Sequence, residues 1–157
     1  MKPPSSAEIL KRLPQKPPTR FIDDILELNA DHILTRYAWR HNDCAGHFPG
    51  NPVVPGVKML EMAAQSLACW SLFLHGAADP SRCAFFTAAD RVVFKKMLRP
   101  DEVAVCRAAF GRDDGLHGNH IAADIELKFL GGLKDGETIL AGKIRGLWAP
   151  SDSENLK

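Results

Sequence analysis

The chain has 157 residues, of which 45% are hydrophobic, and this suits one domain built around one core. Its formal net charge is +1 with acidic and basic residues mixed along the chain, which argues against a nucleic-acid-binding or polybasic membrane protein. The four cysteines form no C-x-x-C pair, so we expect neither a zinc site nor a disulfide framework, and a reducing cytoplasm fits best.

The first predicted element is a short helix in an N-terminal arm, residues 1–14. Ser5-x-x-Glu8 ahead of an apolar pair is typical of a capping box, and Pro14 ends the helix. The first residues lack the apolar run of a signal peptide, and charges interrupt the later apolar run. We therefore expect neither a secretion signal nor a membrane span.

Two strands follow the arm, at residues 21–28 and 33–39, around a turn at residues 29–31. The pair reads as a hairpin. In its second strand, alternate residues are predicted to share one face: Ile33, Thr35, Tyr37 and Trp39.

The next stretch, GHFPGNPVVPGVKMLEMAAQ at residues 46–65, changes character halfway. Residues 47–56 contain three prolines and two glycines, whereas residues 57–74 contain neither, so a rigid loop leads into a long buried helix. The first N–H groups of a helix have no intrahelical acceptor and carry a partial positive charge. Gly56, at the junction, is therefore a candidate binding position for a polarised carbonyl oxygen.

Two titratable residues of this stretch are candidates for chemistry. Glu61 is flanked by apolar helix residues, where a carboxylate is costly to ionise unless it is paired, and His47 lies in the loop before it. Spacing alone leaves two interpretations open, because a loop histidine and a helix glutamate are more often solvated structural residues than catalytic ones.

The chain after the helix is strand-like. One run alternates apolar and polar residues cleanly, which predicts one buried and one wet face. The expected strands are residues 83–87, 91–97, 103–110, 121–129 and 138–148, with a turn at Asp113-Asp114-Gly115. One long helix among five to seven antiparallel strands is an α+β layout, a sheet wrapped around a helix, in a single domain over residues 1–148. Residues 149–157 are polar and are predicted to be disordered.

HFPGNPVVPGVKMLEMAAQ resembles the signature of the β-hydroxyacyl-acyl-carrier-protein dehydratases of the FabZ/FabA type: His-Phe-Pro-Gly, a Pro-Gly-Val turn, then a helical Glu and Gln. LPQKPPTRFIDDILEL at residues 13–28 and FFTAADRVVFKKMLRPDE at residues 85–102 are similar to two further segments of that family, so the resemblance covers about two thirds of the chain. It implies the hot-dog fold. It also implies dehydration of a (3R)-3-hydroxyacyl-acyl-carrier-protein (ACP) to trans-2-enoyl-ACP, in fatty acid or specialised lipid or polyene biosynthesis.

The resemblance implies roles for five residues. His47 is the base that removes the proton alpha to the carbonyl, and Glu61 donates a proton to the departing hydroxyl. The N–H of Gly56 binds the thioester oxygen, the carbonyl of Val53 holds the His47 ring in its tautomer, and Gln65 orients Glu61. For Gln65, a solvent-facing helix position is an equal alternative.

The resemblance also implies partners. Family enzymes are dimers in which the histidine and the acid of one site come from opposite subunits, so we expect a homodimer, with a trimer of dimers as the family's larger assembly. The basic cluster Lys95, Lys96 and Arg99 is predicted to dock the acidic ACP. An ordinary solvated strand face is the alternative for this cluster.

Three departures from the family pattern identify a divergent member. Gln15-Lys16-Pro17 replaces a segment with an aromatic residue, and the loop at residues 42–46 is short and lacks a phenylalanine pair. These aromatic residues typically line the mouth of the acyl tunnel. Lys58 replaces an aliphatic residue, and we expect its side chain to extend outward to solvent.

Two other functions stay open on the sequence. A hot-dog thioesterase or enoyl-CoA hydratase would share the fold, but those groups do not carry this order of motifs. A non-catalytic acyl-binding subunit would have no need of both His47 and Glu61. The remaining histidines lack metal-ligand spacing, so we expect no metal site and no cofactor.

Overall fold

The computed structural model of the chain describes residues 4–76, 79–112 and 114–154. Residues 1–3 of the predicted arm, Asp113 of the predicted turn and residues 155–157 of the predicted tail lie outside the described residues. The helices are α1 (Ser6–Arg12) and α2 (Gly56–Leu74). The strands are β1 (Asp24–Leu28), β2 (His32–Ala38), β3 (Arg82–Phe94), β4 (Val103–Ala109), β5 (Gly115–His117), β6 (His120–Phe129) and β7 (Thr138–Pro150).

Helix α1 begins at the predicted capping box. The Ser5 N–H donates to the Glu8 carboxylate at 2.7 Å, and the Glu8 N–H donates to the Ser5 hydroxyl at 3.3 Å, so two otherwise unpaired helix donors are satisfied. Ile9 and Leu13 are fully buried and anchor the helix on the core. Lys16 donates to the carbonyl of Leu13 just beyond the end of the helix.

The strands form one antiparallel sheet in the order β1-β2-β4-β6-β7-β3, and β5 pairs with β6. Helix α2 packs against β2, β3, β4, β6 and β7, which is the expected α+β layout of a sheet around one long helix. A hydrogen bond between Thr35 on β2 and Ser66 on α2 (2.7 Å) lies inside this core. Among the described residues, no helix is long and apolar enough to cross a membrane.

Several strand boundaries differ from those predicted. Residues 82–94 form one continuous strand with bulges rather than two, because β7 pairs with them along nearly their whole length. Strand β1 begins at Asp24 rather than at residue 21, and β5 was not predicted. Strand β7 continues to Pro150, and Ser151 N–H donates to the carbonyl of Ser81. The predicted disorder from residue 149 is therefore wrong for the start of the tail.

Strand β3 forms one outer edge of the sheet. It carries exposed apolar side chains, namely Phe86, Val93 and Phe94. A long edge strand leaves backbone N–H and C=O groups available for pairing with another chain. Pairing of this edge with another strand would satisfy those backbone groups.

Candidate active site

The loop before α2 is fixed by its own backbone. The His47 N–H donates to the carbonyl of Cys44 (2.9 Å), and the Val53 N–H donates to the carbonyl of His47 (2.8 Å). The Val54 N–H donates to the carbonyl of Leu98 (2.8 Å), which ties the end of the loop to the segment after β3. The half-buried His47 ring thus projects from a braced turn rather than from a free loop.

The His47 ring has one defined partner. Its Nδ1 lies 2.9 Å from the carbonyl oxygen of Val53. Because a carbonyl only accepts, Nδ1 carries the proton, and Nε2 keeps a lone pair that can take a proton from elsewhere. The Phe48 ring stacks on the imidazole at 4.0 Å between centroids. This is the Val53 contact that the family resemblance implied.

Gly56 is the first residue of α2, and a side chain at this position would have to displace the Phe94 ring. A Cβ there would lie 2.9 Å from Cε1 of Phe94 on β3. Within the described part of the chain, the Gly56 N–H has no hydrogen-bond acceptor. It is therefore available to an oxygen at the positive end of the helix.

Glu61 and Gln65 lie one turn apart on α2 and are hydrogen-bonded. The Gln65 amide nitrogen donates to Glu61 Oε1 (2.9 Å) and to the Thr19 carbonyl (2.6 Å), while its oxygen accepts from the Phe21 N–H (2.8 Å). The Thr19 acceptor and the Phe21 donor fix which end of the amide faces Glu61. Gln65 is fully buried, so the solvent-facing alternative is wrong.

His47 and Glu61 do not form one contact pair within the chain. Gly56 and Glu61 are five residues apart, which is about 140° around a helix of 3.6 residues per turn. Within the described residues no hydrogen bond or ion pair joins His47 to Glu61. Within one chain the oriented histidine and the oriented carboxyl are therefore not hydrogen-bonded to each other, and Gly56 and Glu61 lie on different faces of α2.

Lys58 does not extend to solvent, contrary to expectation. It is half-buried, and its ammonium donates to the carbonyl of Asp43 at 2.7 Å and lies 5.9 Å from the centre of the Phe21 ring. It lines a cavity of ≈ 680 Å³ together with Tyr37, whose pKa is raised to about 12 by burial and by the nearby Asp43 carboxylate. The other lining residues are Pro17, Pro18, Thr19, Arg20, Phe21, Ile22, Asp23, Arg40, Asn42 and Asp43.

The three residues of the predicted basic cluster make different contacts. Lys96 forms an ion pair with Glu137 (2.8 Å), and Lys95 is exposed just after β3. Arg99 donates to the Asn51 side chain (2.8 Å) and to the Pro52 carbonyl (3.3 Å). Arg99 therefore braces the loop that carries His47 in addition to contributing charge.

Sequence analysis missed some supporting residues of this site. Thr19 and Phe21 are hydrogen-bonded to Gln65. Phe94 lies beside Gly56, and the Asn51 side chain accepts a hydrogen bond from Arg99. Except for the resemblance around Phe94, no local pattern identifies them, because each contact joins residues more than 35 positions apart. A backbone group such as the Thr19 carbonyl leaves no signal in residue type.

The chain is similar in sequence to known dehydratases. Residues 32–118 match the model of the ApeI-like family, described as ApeI dehydratase. The chain is 32% identical over 126 residues to a 3-hydroxyacyl-[acyl-carrier-protein] dehydratase FabZ of Oenococcus oeni, covering 78% of this chain and 89% of that protein. It is 35% identical over 105 residues to the FabZ of Streptococcus pyogenes serotype M3, covering 66% and 74%.

Solved structures share the fold. A chain of the dehydratase heterocomplex ApeI:P from Xenorhabdus doucetiae superposes with a TM-score of 0.71 at 13% identity, over 96% of this chain and 93% of that one. A thioesterase from Haemophilus influenzae superposes with a TM-score of 0.69 at 10% identity, over 98% and 96%. At these identities the likeness concerns the fold alone, and it confirms the hot-dog arrangement.

Proposed function

The chain belongs to the hot-dog dehydratases of the ApeI-like and FabZ/FabA type and is a carbon–oxygen lyase; on this premise we propose that it dehydrates (3R)-3-hydroxyacyl thioesters carried by an ACP. The product would be the trans-2-enoyl thioester and water. The observation that carries the proposal is the pairing of an oriented histidine with an oriented carboxyl. His47 is held by the Val53 carbonyl, and Glu61 is held by Gln65.

In the proposed reaction, Nε2 of His47 removes a proton from C2 of the substrate. The electron pair of that C–H bond forms the C2=C3 double bond, and the C3 hydroxyl leaves with the proton of Glu61 as water. Exchange with solvent then returns a proton from His47 to Glu61. Because Gln65 donates to Oε1 of Glu61, Oε2 is the oxygen proposed to carry this proton.

The thioester oxygen gains negative charge as C2 loses its proton. The free N–H of Gly56 at the start of α2 is the donor proposed for this oxygen. In enzymes where one such donor has been removed, the loss is roughly 3 kcal/mol of transition-state stabilisation. The hydrogen-bonded loop leads directly to this N–H at the start of α2, and the Phe94 ring lies beside Gly56.

The proposed active form is a homodimer in which the β3 edges of two copies pair. This edge strand exposes three apolar side chains, Phe86, Val93 and Phe94, and the adjacent Val93 and Phe94 lie on opposite faces of it. His47 of one copy would then work with Glu61 of the other. Within the described residues no hydrogen bond or ion pair joins these two groups in one chain, which supports this arrangement. A trimer of such dimers is the larger assembly that the family resemblance implied.

The carrier protein is proposed to dock at Lys95, Lys96 and Arg99. Lys95 is exposed, and the charges of its two neighbours are partly engaged by Glu137 and Asn51. A basic rim of this kind speeds encounter with an acidic partner and orients it, and salt weakens the effect.

Removal of either proposed catalytic group tests the proposal. We expect His47→Ala and Glu61→Gln each to lower turnover of a (3R)-3-hydroxyacyl-ACP by about 10²- to 10⁴-fold, because general acid–base groups contribute that much. His32→Ala and Glu27→Gln are the matched controls, since these residues pair with each other on β1 and β2. Mass spectrometry of the products separates enoyl-ACP from the free acid that a thioesterase would release. Wild-type turnover in either site variant would remove that residue from the mechanism.

A further inference from the structure

The cavity lined by Lys58 contains apolar side chains and two cations, Lys58 and Arg20, for which no ion pair is found among the described residues. The Arg20 Nε donates to the carbonyl of Ile22 (3.0 Å). Phe21 and Ile22 are buried, and with Pro17 and Pro18 they give the ≈ 680 Å³ space an apolar lining. That volume lies within the range of about 300–1,000 Å³ that ligand pockets occupy. A small organic group with an apolar body would fit these walls.

The Lys58 ammonium has binding capacity that the described residues do not use. It has three N–H donors, and one of them forms a hydrogen bond to the Asp43 carbonyl. Across the described ranges no carboxylate lies within ion-pair distance of Lys58. The remaining donors and the positive charge are therefore available to an occupant of the cavity.

The carboxylates of the cavity wall are engaged elsewhere. Asp23 pairs with Arg40 (2.8 Å) and accepts from the Ala38 N–H (2.9 Å). Asp43 accepts from the Arg40 N–H (2.8 Å) and from the Tyr37 hydroxyl (3.1 Å). Neither carboxylate lies within ion-pair distance of the ammonium, so neither takes up the remaining Lys58 donors.

The cavity is connected to the proposed acid through α2. Lys58, Glu61 and Gln65 are spaced i, i+3 and i+7, which places them along one face of the helix. Gln65, which holds the Glu61 carboxyl, is itself bonded to Thr19 and Phe21, and both of these line the cavity. Thr19 and Phe21 therefore connect the cavity lining to the residue that holds the proposed acid.

We propose that this cavity receives the distal part of the acyl chain, and that Lys58 selects chains that carry an oxygen acceptor over plain alkyl chains. The inference rests on the proposed function and names its substrate class, an acyl thioester with a hydroxyl, carbonyl or carboxylate on the chain. A hydrogen bond from the ammonium to that oxygen replaces the water that the chain displaces. An alkyl chain of the same length would displace water from the ammonium without forming a hydrogen bond to it. A polar site rejects an apolar analogue for this reason.

The test compares two substrates of equal length on one enzyme. We would measure kcat/KM for 3-hydroxyacyl-ACPs whose chains end in a methyl or in a hydroxyl group. The wild type should favour the oxygenated chain by about ten- to a hundredfold, the usual strength of a hydrogen bond to a charged group. Lys58→Met should bring this ratio close to one, and Lys58→Arg should keep most of it. Lys128→Met, which removes an exposed lysine paired with Glu126, should leave the ratio at its wild-type value.

The ratio of the two kcat/KM values distinguishes substrate selection by Lys58 from a purely structural role of this residue. If Lys58 only fastened α2 to the loop through Asp43, Lys58→Met would lower both kcat/KM values by the same factor, and the proposal would be overturned. A wild-type ratio of one would overturn it as well.

A binding measurement separates this proposal from the proposed function. Calorimetry with non-reactive thioether analogues of the two chains reports selection without turnover. Selective binding by the wild type, lost in Lys58→Met, would support the cavity assignment even if no substrate were dehydrated. Dehydration of both substrates with equal binding of both analogues would leave the dehydratase standing and remove the role of Lys58.

Discussion

The substitution Gln65→Met tests the positioning of the proposed acid. It keeps the approximate shape of the side chain and removes three hydrogen bonds, to Glu61, to the Thr19 carbonyl and from the Phe21 N–H. Phe21 is 3% exposed, so its N–H loses its partner inside the protein, whereas Thr19 is exposed and its carbonyl can bond to water instead. At about 1–3 kcal/mol for the one buried group left unsatisfied, we expect the free energy of unfolding to fall by about 1–3 kcal/mol.

The same substitution should slow catalysis. Without Gln65 the Glu61 carboxyl loses the donor that orients it, and a misplacement of about 1 Å in an active site can cost about a hundredfold. We therefore expect kcat to fall by about ten- to a hundredfold for the folded fraction. Urea unfolding gives the stability, and the absorbance of the conjugated enoyl thioester gives the rate.

Ser66→Ala is the matched control for Gln65→Met. Ser66 is the next residue on α2, is also fully buried, and bonds to Thr35 and to the Met62 carbonyl without touching Glu61. It should lose stability with kcat unchanged. If Gln65→Met kept the wild-type kcat, or if Ser66→Ala lost as much, the argument that Gln65 orients Glu61 would be refuted.

Two further predictions concern the assembly and the carrier protein. Mixing inactive His47→Ala with inactive Glu61→Gln subunits should restore activity, because a mixed dimer holds one site with both groups intact; no recovery after verified subunit exchange would place both groups in one chain. Charge reversal of Lys95 and Lys96 should lower kcat/KM for an acyl-ACP, with a smaller loss at high salt, while an N-acetylcysteamine thioester should turn over as before. Equal losses on both substrates would instead assign these lysines to the fold or to the acyl tunnel.

Local sequence patterns predicted those elements that depend on interactions between residues close together in the chain. The capping box at Ser5 and Glu8 and the end of α2 at Leu74 were predicted and are observed, because caps and glycine- or proline-free apolar runs act within a few residues. The alternation in β6 was confirmed as well, since Ile121, Ala123, Ile125, Leu127 and Phe129 are all buried. The order of motifs also identified the family.

Only the tertiary structure decided how these elements meet. The continuity of β3 depends on its pairing with β7, which lies about fifty residues away in the chain. The Lys58 side chain points to the Asp43 carbonyl and the Phe21 ring rather than to solvent, since the loop and the segment before β1 fold over that face of α2. Gln65 is buried for the same reason, being bonded to Thr19 and Phe21. Such contacts join distant residues through backbone groups, and a sequence pattern, which records side-chain types at near positions, does not contain them.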